Sequence, residues 1–178
     1  YAANFDLTIF LKPEDHSLSQ QGCAHEGAIS TRLGLPSIPE AAETMAVARL
    51  LMLVEQTGVR AHFCQLSTAK AVQMIHRAQH DGLSVTTDVT SHHLYLTDMD
   101  IGYFDSNCRV LPPLRSQRDK EGLRRGLVEG TINAICSDHQ PHELDAKLAP
   151  FSEAESGMST LDPLLPLALR MVDETELK

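Results

Sequence analysis

The sequence has no tryptophan, and aromatic residues make up only 4% of its 178 residues. This shortage of rings argues against the aromatic platform on which single-stranded nucleic acids stack. Positive charge is also scarce, because 15 Lys and Arg residues stand against 24 Asp and Glu residues, for a net charge of −9. An acidic surface repels phosphates, so we expect no nucleic-acid partner.

Long apolar runs are missing as well, and the N-terminus has no signal-peptide pattern. With 42% hydrophobic and 22% charged residues, we expect a soluble, globular, cytoplasmic protein without a membrane partner. The sequence lacks Cys-x-x-Cys, so its cysteines are predicted to be reduced thiols rather than disulfides or a cysteine zinc site. The first residue is Tyr1 instead of methionine, which predicts a piece of a longer chain. The cysteines are Cys23, Cys64, Cys108 and Cys136.

No Gly-x-Gly-x-x-Gly turn follows a strand, which argues against a Rossmann sheet. Apolar runs near residues 5–11, 59–64, 84–89 and 131–136 predict parallel strands, with helices following most of them. This alternation predicts an α/β fold, a partial (β/α)8 TIM barrel, since a typical barrel has about 250 residues. Residues 20–39 are rich in Gly and Pro and are predicted to be a long surface loop.

The segment from Thr131 to His142 carries the clearest chemical pattern. A short apolar strand, predicted to be buried on both faces, ends abruptly in Ser137, Asp138 and His139. Reacting groups lie at the C-terminal ends of strands in α/β barrels, so Asp138 suits a metal ligand or a general base. The alternative is an aspartate that caps the next helix beside two solvated histidines.

This segment resembles the Thr-Asp-His-Ala-Pro-His motif of dihydroorotases, within the amidohydrolase superfamily. Other segments match in the same order along the chain: residues 33–39 with Glu43, 66–69, 85–94, 112–115 and 149–151. The resemblance implies that residues 1–178 are the C-terminal portion of a barrel of the metal-dependent hydrolase type, whose first strands precede this chain. It also implies a small cyclic amide substrate and two zinc ions that share a hydroxide.

The resemblance assigns roles to three residues. Asp138 corresponds to the aspartate that binds metal and shuttles the proton. His142 corresponds to a histidine that contacts the substrate, and the backbone around Gly157 to a loop that holds the substrate's carboxylate.

The departures from the family motifs concern the ligands. Lys12 and Gln65 stand where the family has two histidine ligands. An ammonium has no lone pair, and an amide oxygen is a poor partner for zinc. Leu111 replaces an asparagine that contacts the substrate, and Glu155 adds an acid beside the carboxylate loop. We therefore expect zinc to be absent or reduced to one ion.

Substitute ligands are a second reading of these departures. His16 and His62 are near the changed positions, but residues three apart in a strand face opposite sides, which weakens the proposal for His62. The pair His92 and His93 matches a family position that is not a ligand, and we interpret it as structural or supporting.

Three functions remain open. The first is a pseudoenzyme, an oligomeric structural partner of aspartate transcarbamoylase in pyrimidine biosynthesis, with residues 20–39 as a candidate contact surface. The second is an active zinc dihydroorotase with an altered or single-metal site. The third is another cyclic amide hydrolase, similar to allantoinases or hydantoinases. Asp138 and His142 favour remaining chemistry, whereas Lys12, Gln65 and Leu111 favour none.

Overall fold

The computed structural model describes residues 1–175. Two parallel sheets are present in this part of the chain. Their strands are β1 (Thr8–Leu11), β2 (Ala24–His25), β3 (Ser37–Ile38), β4 (Arg60–Phe63), β5 (Val85–Thr90) and β6 (Ala134–Cys136). The larger sheet has the strand order β1, β4, β5, β6. A two-stranded sheet pairs β2 with β3.

Helices connect the strands of the larger sheet, which confirms the predicted α/β class with parallel strands. None of the helices in residues 1–175 combines the length and apolar character needed to cross a membrane. The helices are α1 (His16–Ser19), α2 (Ala28–Leu33), α3 (Ala41–Thr57), α4 (Ala69–His80), α5 (Gln117–Val128) and α6 (Leu161–Glu174).

Local sequence signals fix several helix ends. The hydroxyl of Thr68 accepts the backbone N–H of Ala71 and caps α4. Ser116 and Asp119 form a capping box at the start of α5. Gly58 ends α3 with φ 65°, a left-handed conformation that glycine adopts without steric cost.

The larger sheet has two faces of different character. One packs on the helices and forms the main apolar core, which includes Phe63, Val89 and Leu123. We call the opposite side the inner face; it carries Phe10, His62, Cys64, Asp88 and Cys136, which contact one another as a mostly polar group.

The strand predictions were wrong in two places. The first strand begins at Thr8, because residues 2–5 form a short 3-10 helix. The strand before Asp138 is only Ala134–Cys136, and Ala134 is exposed instead of buried on both faces. β6 pairs with β5 alone among the described strands, so it lies at the edge of the sheet.

The prediction of a structureless loop at residues 20–39 was also wrong. This segment contains β2, α2 and β3, and it buries Cys23, Ala24 and Ile38. Backbone pairing of β2 with β3 satisfies polar groups that a buried loop would leave without partners.

A buried carboxylate holds the end of β4 against α3. Glu43 accepts hydrogen bonds from the backbone N–H and the hydroxyl of both Ser67 and Thr68. Arg115, itself 3% exposed, donates from Nε to the hydroxyl of Ser67. These bonds fix the segment that follows β4, which carries Gln65.

The contact between α4 and α5 depends on a small residue at Gly122. A Cβ there would lie 2.9 Å from Cα of Ala69 and would also strike its Cβ. We expect Gly122→Ala to lower the free energy of unfolding, because overpacking costs about 1–3 kcal/mol and the gain in helix propensity only about 1 kcal/mol. Urea denaturation measures the change. Glu121→Ala, at an exposed position of the same helix, is the matched control, and an unchanged or increased stability of Gly122→Ala would contradict the packing argument.

Candidate functional site

Asp138 follows β6 in a left-handed backbone conformation, with φ 46°. Its Oδ1 accepts hydrogen bonds from Nε2 of Gln65 at 2.6 Å and from Nε2 of Gln140 at 2.7 Å. The structure therefore brings Asp138 and Gln65 together, as expected for two positions at one end of a parallel sheet. Both amides present N–H groups to the carboxylate, and an amide N–H is not a metal ligand.

Lys12 lies beyond the end of β1 and its side chain is exposed. Nζ donates to the carbonyl of Leu111 at 3.1 Å, so two of the departures from the family motifs contact each other. Within residues 1–175, Lys12 forms no ion pair. The neighbouring acids bind α1 instead: Asp15 caps its start, and Glu14 accepts a hydrogen bond from the hydroxyl of Ser19 at its end.

His142 and Gly157 also lie together. Nε2 of His142 is 3.0 Å from the carbonyl oxygen of Ser156. Gly157 has φ 142°, and a Cβ there would come within 3.0 Å of Nε2 of His142. The N–H of Gly157 donates to the carbonyl of Arg109 at 2.8 Å, which fixes the loop.

His139 caps the start of α6. Its Nδ1 accepts the backbone N–H groups of Thr160 and Leu161 at 3.1 and 3.0 Å, at the start of α6. These contacts satisfy donors that the first turn of a helix leaves free.

His92 and His93 are both buried, at 2% exposure. His93 is hydrogen-bonded to Thr90 and to the carbonyl of Pro113, in agreement with a structural role. Neither ring nitrogen of His92 has a hydrogen-bond partner among the described residues. Burial lowers the pKa of His92 to about 4, and the negative charge of Asp138 offsets only part of that effect.

His62 is placed differently from the prediction. It was expected to face away from Gln65, but alternation ends with β4 because Gln65 adopts φ 57°. Nε2 of His62 is 2.9 Å from Oδ2 of Asp88, while the N–H of Gln65 donates to Oδ1 of Asp88 at 2.7 Å. The two residues thus converge on one carboxylate.

Asp88 is the residue that the sequence reasoning missed. Its segment is predicted as a strand and matches a dihydroorotase segment at residues 85–94, but neither observation marks the aspartate as a shared acceptor. Cys64 and Cys136 were also missed as members of this group. The one available signal was the spacing of His62 and Cys64, which places two potential ligands on the same face of a strand.

The positions that correspond to the family's metal ligands do not fit two zinc ions. Lys12 presents an ammonium to a carbonyl, and Gln65 presents an amide N–H to Asp138. Oε1 of Gln65 is buried and has no hydrogen-bond partner among residues 1–175. An ammonium and an amide nitrogen offer zinc no lone pair.

Comparison with known proteins agrees with this architecture. The L-hydantoinase (dihydropyrimidinase) of Arthrobacter aurescens superimposes with a TM-score of 0.84 at 25% identity, over 99% of this chain and 41% of that chain. The fold is that of the amidohydrolase TIM-barrel proteins, of which this chain covers a part.

The sequence comparisons are more specific. The family model described as dihydro-orotase-like matches residues 1–71. A dihydroorotase-like protein of Pseudomonas putida is 53% identical over 98% of this chain and 41% of its own length. A dihydroorotase of Syntrophobacter fumaroxidans is 45% identical over 99% of this chain and 40% of its own length. The chain is therefore dihydroorotase-like, and it spans about two fifths of the length of these relatives.

The buried His92 predicts a loss of stability in acid. Its pKa is about 4 in the folded chain and about 6.5 in an unfolded one. The unfolded chain therefore binds the extra proton first as the pH falls from about 6.5 to 4, and the free energy of unfolding decreases by an amount on the order of 3 kcal/mol. Urea denaturation at about pH 7.5 and pH 4 measures this loss.

The variant His92→Leu removes the titrating ring and leaves no new polar group without a partner. We expect its loss of stability between the two pH values to be smaller than that of the parent chain. His80→Leu is the control, because the side chain of His80 is 84% exposed. An equal loss in the parent chain and in His92→Leu would contradict the assignment.

Proposed function

We propose that this chain is the C-terminal portion of the barrel of a dihydroorotase-like protein of pyrimidine biosynthesis in which the family's two-zinc centre does not form. The protein acts as a structural partner of aspartate transcarbamoylase. One observation carries the proposal: the carboxylate of Asp138 accepts the amide N–H groups of Gln65 and Gln140. The oxygen that would bind a metal is already hydrogen-bonded on two sides.

The substrate side of the site supports the same conclusion. Leu111 offers no side-chain amide, and its carbonyl accepts the ammonium of Lys12. Glu155 is exposed two residues before Gly157. Its negative charge would repel the carboxylate of a ligand held by this loop. The changes at the ligand positions disfavour zinc binding, and the changes at the substrate contacts disfavour substrate binding.

A structural role explains why the fold is maintained. The network of Glu43, Ser67, Thr68 and Arg115 is buried, and two clusters of buried apolar residues support the fold. The segment of residues 20–39 exposes Thr31 and Arg32 on a small substructure that is separate from the larger sheet. We propose this substructure as the contact surface for the partner, in a cytoplasmic oligomer.

A specific observation favours the second candidate, an active cyclic amide hydrolase. Asp138, His142 and Gly157 are all present, and His142 lies against the loop of Gly157. In that case Asp138 would hold a single zinc ion after Gln65 turned away. The zinc would then be lost in Asp138→Asn, and turnover of dihydroorotate would be measurable in the parent protein.

The double variant Lys12→His and Gln65→His tests whether these two replacements prevent metal binding at Asp138. We expect it to bind more zinc than the parent, because two imidazoles replace an ammonium and an amide. We expect little dihydroorotase activity, because Leu111 leaves a polar ring edge without a partner at a cost of about 1–3 kcal/mol. Misplacement of the substrate by even about 1 Å can cost on the order of 100-fold in rate. Zinc content after dialysis and turnover of dihydroorotate are the two measurements.

The matched control for this pair is Arg32→His with Gln56→His, which makes the same kind of changes at exposed helical positions. It should bind no more zinc than the parent. Turnover of the site variant in the ordinary enzyme range of about 1–1000 per second would show that Leu111 and Glu155 are harmless. Unchanged zinc content would contradict the assignment of Lys12 and Gln65 to ligand positions.

The partner is tested by co-expression with aspartate transcarbamoylase and gel filtration at micromolar concentration. We expect the two proteins to elute in one joint peak. The variant Arg32→Glu reverses a charge on the exposed side of α2, and we expect it to reduce the area of that joint peak. Arg118→Glu, at an exposed position of α5, is the control and should leave the joint peak intact. Two separate peaks for the parent protein would contradict the structural role.

A further inference from the structure

The inner face of the larger sheet brings together three potential ligands of the kinds that zinc prefers, and a fourth lies beside one of them. Nε2 of His62, Sγ of Cys64 and a carboxylate oxygen of Asp88 lie within 4.8 Å of one another. Sγ of Cys136 is 3.3 Å from Oδ1 of Asp88. Imidazole, thiolate and carboxylate are the usual zinc ligands, and four of them complete a tetrahedral site.

The strand register sets this arrangement. His62 and Cys64 are two residues apart, at and just beyond the end of β4, and so share one face. β5 pairs with β4 with His62 opposite Thr86, which places Asp88 beside Cys64. β6 pairs with β5 with Cys136 opposite Thr90. Ligands on neighbouring strands are held more precisely than ligands on loops.

Hydrogen bonds around the group orient two of its members. Nδ1 of His62 is 2.7 Å from the hydroxyl of Thr86, and Oδ1 of Asp88 accepts the N–H of Gln65 at 2.7 Å. Nε2 of His62 and Oδ2 of Asp88 then point toward each other. A hydrogen bond to the far nitrogen or oxygen is the usual support of a metal-bound histidine or carboxylate.

We propose that His62, Cys64, Asp88 and Cys136 bind one zinc ion as a closed, four-coordinate structural site. The site ties β4, β5 and β6 together from the inner face. Two sulfur ligands select zinc over magnesium or calcium, which take oxygen ligands. The hydrogen bonds of Asp88 to His62 and Cys136 are replaced by bonds to the metal.

The net charge of the site is the same before and after zinc binds. Each thiol releases its proton to solvent as its sulfur binds the metal. Two protons therefore leave as one dication enters, and the negative charge that Asp88 gives the site stays the same. No oxidant or further reactant is required.

The proposed ligands are different side chains from those at the family's ligand positions, although the two groups adjoin. Cys64 precedes Gln65, Cys136 lies two residues before Asp138, and the N–H of Gln65 donates to Asp88. Asp138 itself is hydrogen-bonded to Gln65 and Gln140. The proposal does not depend on the partner protein, and it replaces the expectation that all four cysteines are simple thiols.

The test uses the full, reduced chain supplied with zinc and then dialysed against metal-free buffer. We expect one retained zinc per chain, and we expect Cys64 and Cys136 to react with a thiol reagent only after a chelator is added, whereas burial protects Cys23 and Cys108 in both cases. Cys64→Ser and Cys136→Ser should each weaken zinc binding by more than about tenfold, since changes in the supporting contacts alone cost 10–100-fold. Cys23→Ser and Cys108→Ser are the controls, because both residues lie in a second apolar cluster, which also contains Leu114 and Phe151.

Cobalt in place of zinc gives a second readout on the parent chain, independent of how the variants fold. We expect the charge-transfer absorption of a cobalt–thiolate bond. Failure of the parent chain to retain zinc, absence of that absorption, or equal zinc binding by the Cys64 and Cys136 variants would each overturn the proposal.

Discussion

The site depends on the carboxylate of Asp88. One of its oxygens accepts the N–H of Gln65, and the other faces His62. The first contact holds the left-handed turn in which the chain leaves β4, and that turn aims the amide of Gln65 at Asp138. A buried carboxylate is retained only where hydrogen bonds or charges compensate its desolvation. Asp88 is compensated by hydrogen bonds with His62, the N–H of Gln65 and Cys136.

Three of the departures from the family motifs have defined contacts. Nζ of Lys12 donates to the carbonyl of Leu111, and Gln65 donates to Asp138. The loop of His142 and Gly157 keeps its close contact although the ligand positions differ. Polar groups on the inner face thus stabilise the ends of the strands, where the resemblance to dihydroorotases implies catalysis. The zinc site proposed around Asp88 would be a metal-binding site on the inner face other than Asp138.

Features set by a few neighbouring residues could be predicted from the sequence. Gly58, Thr68 and Ser116 mark helix ends through their own backbone preferences and hydrogen bonds. The joining of Gln65 and Asp138 was predictable because parallel strands end on one side of a sheet. The exposure of Ala134 in β6 and the regular structure within residues 20–39 could not be predicted, because both depend on which segments pair with these strands. The contact of Cys136 with Asp88 follows from strand register, and linear spacing carries no information about register.

X-ray absorption spectroscopy at the zinc edge, on the zinc-supplied protein, tests most directly whether metal chemistry has left Asp138. We predict a single zinc ion with sulfur neighbours at about 2.3 Å and no second metal nearby. A shell of nitrogen and oxygen alone at about 2.0–2.2 Å, with a second zinc at about 3.5–4 Å, would contradict this prediction and would favour a two-metal centre at Asp138.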